Sequence, residues 1–172
     1  MLTKIDLCSM ALLKLGEKPI QSLSEDTAVA KLGRTFIDVV IDELLAMHPW
    51  RFACQSYDLN ANTDGTFDIP TDVLRIVKVN GQIMQNKIIS QNDKTTITAI
   101  VRVPPENFPS YFVAVVATRL AMEFCMPITS DQTLFRTLVA LYETELQNAK
   151  FIDSTTSINP RIENFSLIDV RF

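Results

Sequence analysis

The chain has 172 residues, 47% of them hydrophobic and 21% charged, with a formal net charge of −4. That is one domain's worth of chain, with at most a small inserted subdomain, and ample apolar material for a core. The acidic balance, with no run of five like charges, excludes a general nucleic-acid binder, which needs clustered Lys and Arg to neutralise phosphates.

The opening stretch MLTKIDLCSMALLKLG has neither a continuous apolar core nor an A-x-A cleavage site, which reads against a signal peptide. Thr3 with Asp6 three residues on forms an N-terminal capping pair. Ile5, Cys8, Leu12 and Leu15 then recur at helical spacing until Gly16 stops the turn. After a loop, Ser24 is the expected cap of a long second helix running to His48, with Glu25 and Asp26 in its first turn. Its apolar positions are Val29, Leu32, Phe36, Val40, Leu44 and Met47, widened by Ile37, Ile41 and Leu45. The charges Lys31, Arg34, Asp38 and Asp42 fall on one narrow line, so this helix is expected to be covered on more than one side. Pro49 ends it by removing a donor and restricting the preceding residue.

From about 51 to 103 the pattern changes to short, β-branched runs punctuated by Asp64-Gly65, Asn80-Gly81 and Asn92-Asp93. Asn-Gly between such runs predicts a hairpin. A third helix is predicted from about Pro109 to Met126, apolar enough to resemble a membrane span. It is too short and carries Arg119 and Glu123, so a buried central helix is expected, ended by Pro127. A fourth runs from about Ser130 to Phe151, with Leu134, Leu138, Leu141, Tyr142 and Leu146 inward. The expectation is therefore a mainly α fold. It is a four-helix bundle over residues 1–153, with a small antiparallel β insertion between the second and third helices and an extended arm at 154–172.

The chemistry-bearing residues are few. Cys8, Cys54 and Cys125 stand far apart among apolar neighbours, which fits reduced, buried thiols and gives no metal-ligand spacing. The only His and the only Trp sit in MHPWRFA at 47–53. His48 has no G-x-S-x-G nucleophile or H-x-x-x-H companion. His48, Pro49 and Trp50 therefore read as a structural joint, with Trp50 packing back on the helix and His48 capping its last carbonyls. The carboxylate pairs Asp42/Glu43 and Glu143/Glu145 diverge on their helices and read as solvated faces. No Gly-rich phosphate loop is present, no cofactor is implied, and nothing in the residues says enzyme.

The segment STTSINPRIENFSLIDVRF, 154–172, begins as a Ser/Thr linker and then carries Ile158, Ile162, Phe165, Leu167, Ile168, Val170 and Phe172. Ile168, Val170 and Phe172 alternate with Asp169 and Arg171, which is strand periodicity. It reads either as an edge strand on its own core or as an arm that adds to another protein. The linker favours the arm.

In order, ALLKLGEKPIQSL, DELLAMHPWRFA, IPTDVLRIVKVNG, FPSYFVAVVATRLAMEFCMPIT and LYETELQNAKFID resemble the head-to-tail adaptor family of short-tailed phages, also called tail tubular protein A or tail accessory factor. The resemblance spans about residues 8–153. Its most specific pieces are HPW at 48–50 with Phe52-Ala53, P-x-D-x-L-R at 70–75 and R-L-A-x-E at 119–123. It implies a structural virion protein, made in the host cytoplasm, that forms a twelvefold ring under the portal. Such a ring extends and seals the DNA channel during ejection and receives further tail proteins. Double-stranded DNA would pass through without sequence-specific binding, and no membrane would be involved. The arm would grip the portal protein through Ile158, Arg161, Ile162, Phe165, Ile168, Val170 and Phe172, although 154–172 matches no family motif. The alternative is a muramidase-like peptidoglycan hydrolase acting in DNA entry, with Glu123 as its acid. Glu123 also reads as the charge partner of Arg119 one turn earlier.

Overall fold

The computed structural model describes residues 1–90 and 93–155. The first helix, α1, spans Lys4–Lys14. Thr3 caps it in a complete capping box, its hydroxyl accepting from the Asp6 N–H while the Asp6 carboxylate accepts from the Thr3 N–H at 2.8 Å. At the other end the Glu17 N–H returns to the Leu12 carbonyl and the Gly16 N–H to Leu13. Gly16 sits at φ +79°. This paired closure needs a left-handed residue, which glycine adopts without penalty.

Helix α2 spans Ala28–Met47 and is capped by Thr27, whose hydroxyl accepts from the Ala30 N–H. Ser24 therefore does not cap it. The Glu25 side chain instead folds back to accept from the Gln21 and Ser22 N–H groups, which closes a turn ahead of the helix. The buried stripe of α2 is Gly33, Ile37, Val40, Ile41, Leu44 and Leu45. Val29, Leu32 and Phe36 are half-buried and Met47 is exposed. The narrow line of charges ties α2 to residues around it: Lys31 pairs with Asp26, Asp38 with Lys4, and Asp42 with Arg102.

Helix α3 spans Ser110–Thr129 and α4 spans Gln132–Thr155. Helix α3 is long and apolar enough to cross a membrane, but α1, α2 and α4 all pack against it. Pro127 does not end it; the helix carries the proline in its last turn and stops at Ser130. Ser130 takes a left-handed conformation (φ +53°) and returns its N–H to the Met126 carbonyl. A proline costs a helix one ladder bond, and near the C-terminus that loss is small. Helix α4 buries only Leu138, Leu146, Ala149 and Asp153. Leu141, expected inside, is exposed. The final turn of α4 includes Ser154 and Thr155, so the helix reaches past the expected boundary at 153.

The β region overturns the four-helix bundle with a small insertion. With 53% of the described residues in helices and 20% in strands, this is an α+β fold. Six strands, β1 (Cys54–Asn60), β2 (Thr66–Asp68), β3 (Val73–Val79), β4 (Gln82–Met84), β5 (Lys87–Ile89) and β6 (Lys94–Val101), form two antiparallel sheets. Their orders are β1-β6-β3 and β2-β5-β4. Strand β6 contributes to two cores, changing from one to the other along its length. Ile97 and Ala99 join Phe67 and Ile88 of the smaller sheet in a second core, whereas Ile100 and Val101 join the helical core. No residue of β1 or β3 is fully buried, but the central strand β6 is buried at five of its eight positions, and by contributing to both cores it makes the β region part of the fold, not an appendage.

Asn80-Gly81 does not close a hairpin. It links β3 in one sheet to β4 in the other, and the tight hairpin turn is Gln85-Asn86 between β4 and β5, both at positive φ (46° and 65°). That pair of left-handed residues matches the right-handed twist of its strands. In β3 the register slips around Leu74 and Val77, two bulges that bend the edge strand.

Candidate functional site

The most elaborate polar arrangement lies where α2 meets the sheet, at His48, Pro49 and Trp50. Pro49 forces His48 into an extended conformation (φ −134°, ψ 147°) at the end of α2, and the Trp50 N–H reaches the His48 carbonyl at 2.8 Å. The chain therefore reverses sharply and drops the Trp50 side chain back along the helix. Trp50 is fully buried. Its indole Nε1–H donates to the Leu44 carbonyl at 2.7 Å, satisfying one of the acceptors that a helix end leaves open. The ring packs edge-on against Phe112 at 5.1 Å, and Phe52 and Phe108 close on the same Phe112 ring at 5.0 and 4.9 Å. Such aromatic contacts add about 0.5–1.5 kcal/mol each beyond area burial.

His48 does something other than the expected capping. Its ring stands edge-on to Trp50, centroids 4.7 Å apart, and its Nε2 lies 3.8 Å from the carboxylate of Asp153 in the last turn of α4. Asp153 is 2% exposed. Both its oxygens accept from the Arg51 N–H at 3.2 Å, and the Tyr111 hydroxyl donates to it at 2.9 Å. Burial of the ring, outweighing the Asp153 charge, holds His48 below its ordinary pKa. Burial and the Asp153 contact push the Tyr111 phenol up. Asp153 was invisible to sequence reading: it sits 102 residues from Arg51, and no local pattern marks a helical Asp as a joint residue.

The other two motifs of the resemblance also occupy structural joints. In the 70–75 stretch, the Asp72 carboxylate accepts from the Tyr57 hydroxyl at 2.6 Å and its carbonyl accepts from the Arg102 N–H at 2.8 Å. The Tyr57 phenol is pushed up to about 12 by burial and by that carboxylate. In the 119–123 stretch, Leu120 and Ala121 are buried. Arg119 bonds Glu123 on its own helix and reaches Glu43 of α2 at 3.3 Å. Desolvation opposes the charge of Arg119, but the two carboxylates outweigh it and raise its pKa. The carboxylate nominated as a hydrolytic acid is thus bonded to a guanidinium that it shares with Glu43.

Cys8 and Cys125 are buried, but Cys54 is exposed at the first position of β1, contrary to the expectation for all three. It begins the edge strand β1, none of whose residues is fully buried. Among the described residues no group of three or more His, Cys, Asp or Glu is placed to hold a metal ion. A cleft of about 420 Å³ opens beside Lys4, Asp38, Asp42, Asp72 and Arg102. Its charges are committed to one another: Lys4 to Asp38, Arg102 to Asp42.

Apolar side chains are also exposed among the described residues. A groove of about 500 Å³ between α1 and α3 is floored by Leu13, Met10, Val113, Ala114 and Ala117, with Leu13 61% exposed. On α4, Phe151 and Ile152 near the C-terminal end are exposed, Phe151 at 68%, and Leu141 is exposed about 15 Å earlier along the helix. The nominated portal-contact residues Ile158, Arg161, Ile162, Phe165, Ile168, Val170 and Phe172 lie outside the described residues. Compared with known proteins, the chain matches no family model and no curated protein.

Proposed function

We propose that this chain is a structural subunit of a phage head-to-tail joint, assembling as a ring on the portal protein and carrying the tail below. The observation that carries the reading is the pair of apolar faces on the helical layer. The α1–α3 groove with Leu13 and Met10 lies on one element pair, and the adjacent exposed residues Phe151 and Ile152 lie near the end of α4. Isolated exposed apolar residues are ordinary on any surface, whereas grouped ones mark association sites. Two different faces on one subunit suit a heterologous contact, which closes into a ring when its rotation permits. Twelve copies is the number the resemblance implies.

Three further observations support the reading. The most specific residues of the resemblance, His48-Pro49-Trp50, hold the helical layer to the sheet. Helix α4, 24 residues long, extends about 36 Å and delivers the chain to the nominated arm at its end. The net charge of −4 suits a conduit along which DNA slides without adhering. In this role the protein needs no cofactor and performs no catalysis.

The test is assembly. Purified chain is mixed with portal rings from the same genome, sedimented and imaged by electron microscopy. Rings of this chain seated on the portal, lost when residues 156–172 are removed, are the expected outcome. Failure to associate with any portal ring overturns the reading. So does cleavage of purified peptidoglycan that disappears in Glu123→Gln.

A further inference from the structure

We propose that residues 166–172 of this chain pair with the free edge of β1 in the same molecule, adding a fourth strand to the β1-β6-β3 sheet.

Among the described residues the sheets have four edges: β1 and β3 in one, β2 and β4 in the other. An edge strand offers a row of unpaired N–H and C=O groups. Folded proteins blunt such edges with bulges, basic residues, prolines or very short strands. Three of these four edges are blunted. Strands β2 and β4 are three residues long, and β3 carries two register shifts as well as Arg75 and Lys78. Strand β1 has none of these protections. Its seven residues, Cys54–Asn60, pair with β6 in an unbroken register and include no proline, lysine or arginine. Every second residue of β1 therefore turns its N–H and C=O away from β6, toward an open edge.

The two faces of β1 say what kind of strand fits beside it. Tyr57 and Leu59 are half-buried and pack on the second core, whereas Cys54, Ser56, Asp58 and Asn60 on the opposite face are exposed. A neighbouring strand continues the sheet only if it is apolar on the first face and polar on the second. In SLIDVRF, 166–172, Ile168, Val170 and Phe172 alternate with Asp169 and Arg171. Set beside β1, the three apolar residues fall in line with Tyr57 and Leu59, and the two charged ones with Ser56 and Asp58. Leu167 is the one residue out of pattern.

The path to that edge is short. Asp153 in the last turn of α4 accepts from the Arg51 N–H at 3.2 Å, and Arg51 stands three residues ahead of the start of β1 at Cys54. Helix α4 therefore delivers the chain to the beginning of this strand. The intervening residues 156–165 can span up to about 33–36 Å, while β1 is roughly 23 Å long, so either end of its edge is within reach. A short tether holds its segment at an effective concentration of order millimolar. That exceeds what a second copy supplies in dilute solution, so the occupant is the segment of the same chain. This inference concerns the free chain and does not rest on the adaptor reading, under which the portal would draw the segment off β1.

Amide hydrogen exchange of the full chain tests it. The β1 amides that face away from β6 are expected to exchange slowly, as are every second amide of 166–172. Asp169→Pro and Val170→Pro remove adjacent donors, one of which must face β1. At least one of the two is expected to speed exchange of the outward β1 amides about tenfold, while the β1 amides that face β6 hold their protection. Outward amides that exchange freely in the wild type, or that keep wild-type protection in both variants, overturn the pairing. So does wild-type protection that falls on dilution by about a hundredfold, which assigns the edge to a second copy.

Discussion

The indole N–H of Trp50 donates to the carbonyl of Leu44 at 2.7 Å, bridging the break that Pro49 makes at the end of α2. One side chain thereby fills the aromatic core and repairs the helix terminus. Trp50→Ala is expected to cost roughly 3–5 kcal/mol, as for other large buried aromatics. Trp50→Phe keeps most of the packing but orphans the Leu44 carbonyl, for a cost of about 1–3 kcal/mol. Urea melts of the two variants separate the contributions. A change under about 0.5 kcal/mol in Trp50→Ala, typical of surface sites, would remove Trp50 from the core.

Gly81 and Gly65 make a matched pair for testing where backbone crowding matters. A Cβ on Gly81 (φ +155°) would stand 2.5 Å from the Ile89 carbonyl oxygen, whereas one on Gly65 (φ +74°) would meet nothing within 4 Å. Gly65→Ala is expected to cost about 1–2 kcal/mol, the ordinary left-handed penalty. Gly81→Ala must also push β5 away from the link between the sheets, so its cost is expected to be clearly larger. Equal chemical-denaturation midpoints for the two would show that the Gly81 contact relaxes freely.

The three thiols should differ in reactivity with an aromatic disulfide reagent under native conditions. Cys54 is exposed and is expected to react first. Cys8 and Cys125 are buried, and burial, aided by the Asp38 charge, pushes the Cys8 thiol up to about 11. The thiolate is the reacting species, so Cys8 is expected to wait for unfolding. Three fast thiols in the folded chain would contradict the packing of α1 on α2 and α3.

Leu13 tests the apolar groove without touching the core. It is 61% exposed, so Leu13→Glu is expected to shift stability by no more than about 0.5 kcal/mol. If the groove receives a neighbouring subunit, the buried charge on each copy should prevent ring closure. Analytical ultracentrifugation on portal-templated assemblies reads the result. Intact rings from Leu13→Glu subunits would place the subunit contact elsewhere.

What could be read from the sequence follows the range of the interactions. Thr3 and Asp6 form their capping box within four residues, and Gly16 closes α1 within five, so local spacing was enough. Ser24 was a reasonable cap for α2, but Glu25 turns back to Gln21 and Ser22, and that competing turn moves the helix start to Thr27. The β region misled because Asn80-Gly81 has the composition of a hairpin turn while its flanking strands belong to different sheets. Composition reports a turn's backbone, not which strands it joins. Asp153 carries no sequence signal, since its partners, the Arg51 N–H and the Tyr111 hydroxyl, lie 102 and 42 residues away.

The strand order β1-β6-β3 has a consequence for synthesis. The central strand is made last, so β1 and β3 leave the ribosome with no partner of their own sheet to pair with. Pairing across such separations is slow, because loop closure must precede any reward. At about 5–20 residues per second, the gap between completing β3 and completing β6 at Val101 lasts on the order of a second or more, and α3 follows only afterwards. Through that interval the nascent chain presents two strand edges and the unsheltered apolar stripe of α2. Chains halted before residue 94 should therefore be the ones that aggregate or recruit chaperones, and chains released after α3 the first to resist proteolysis.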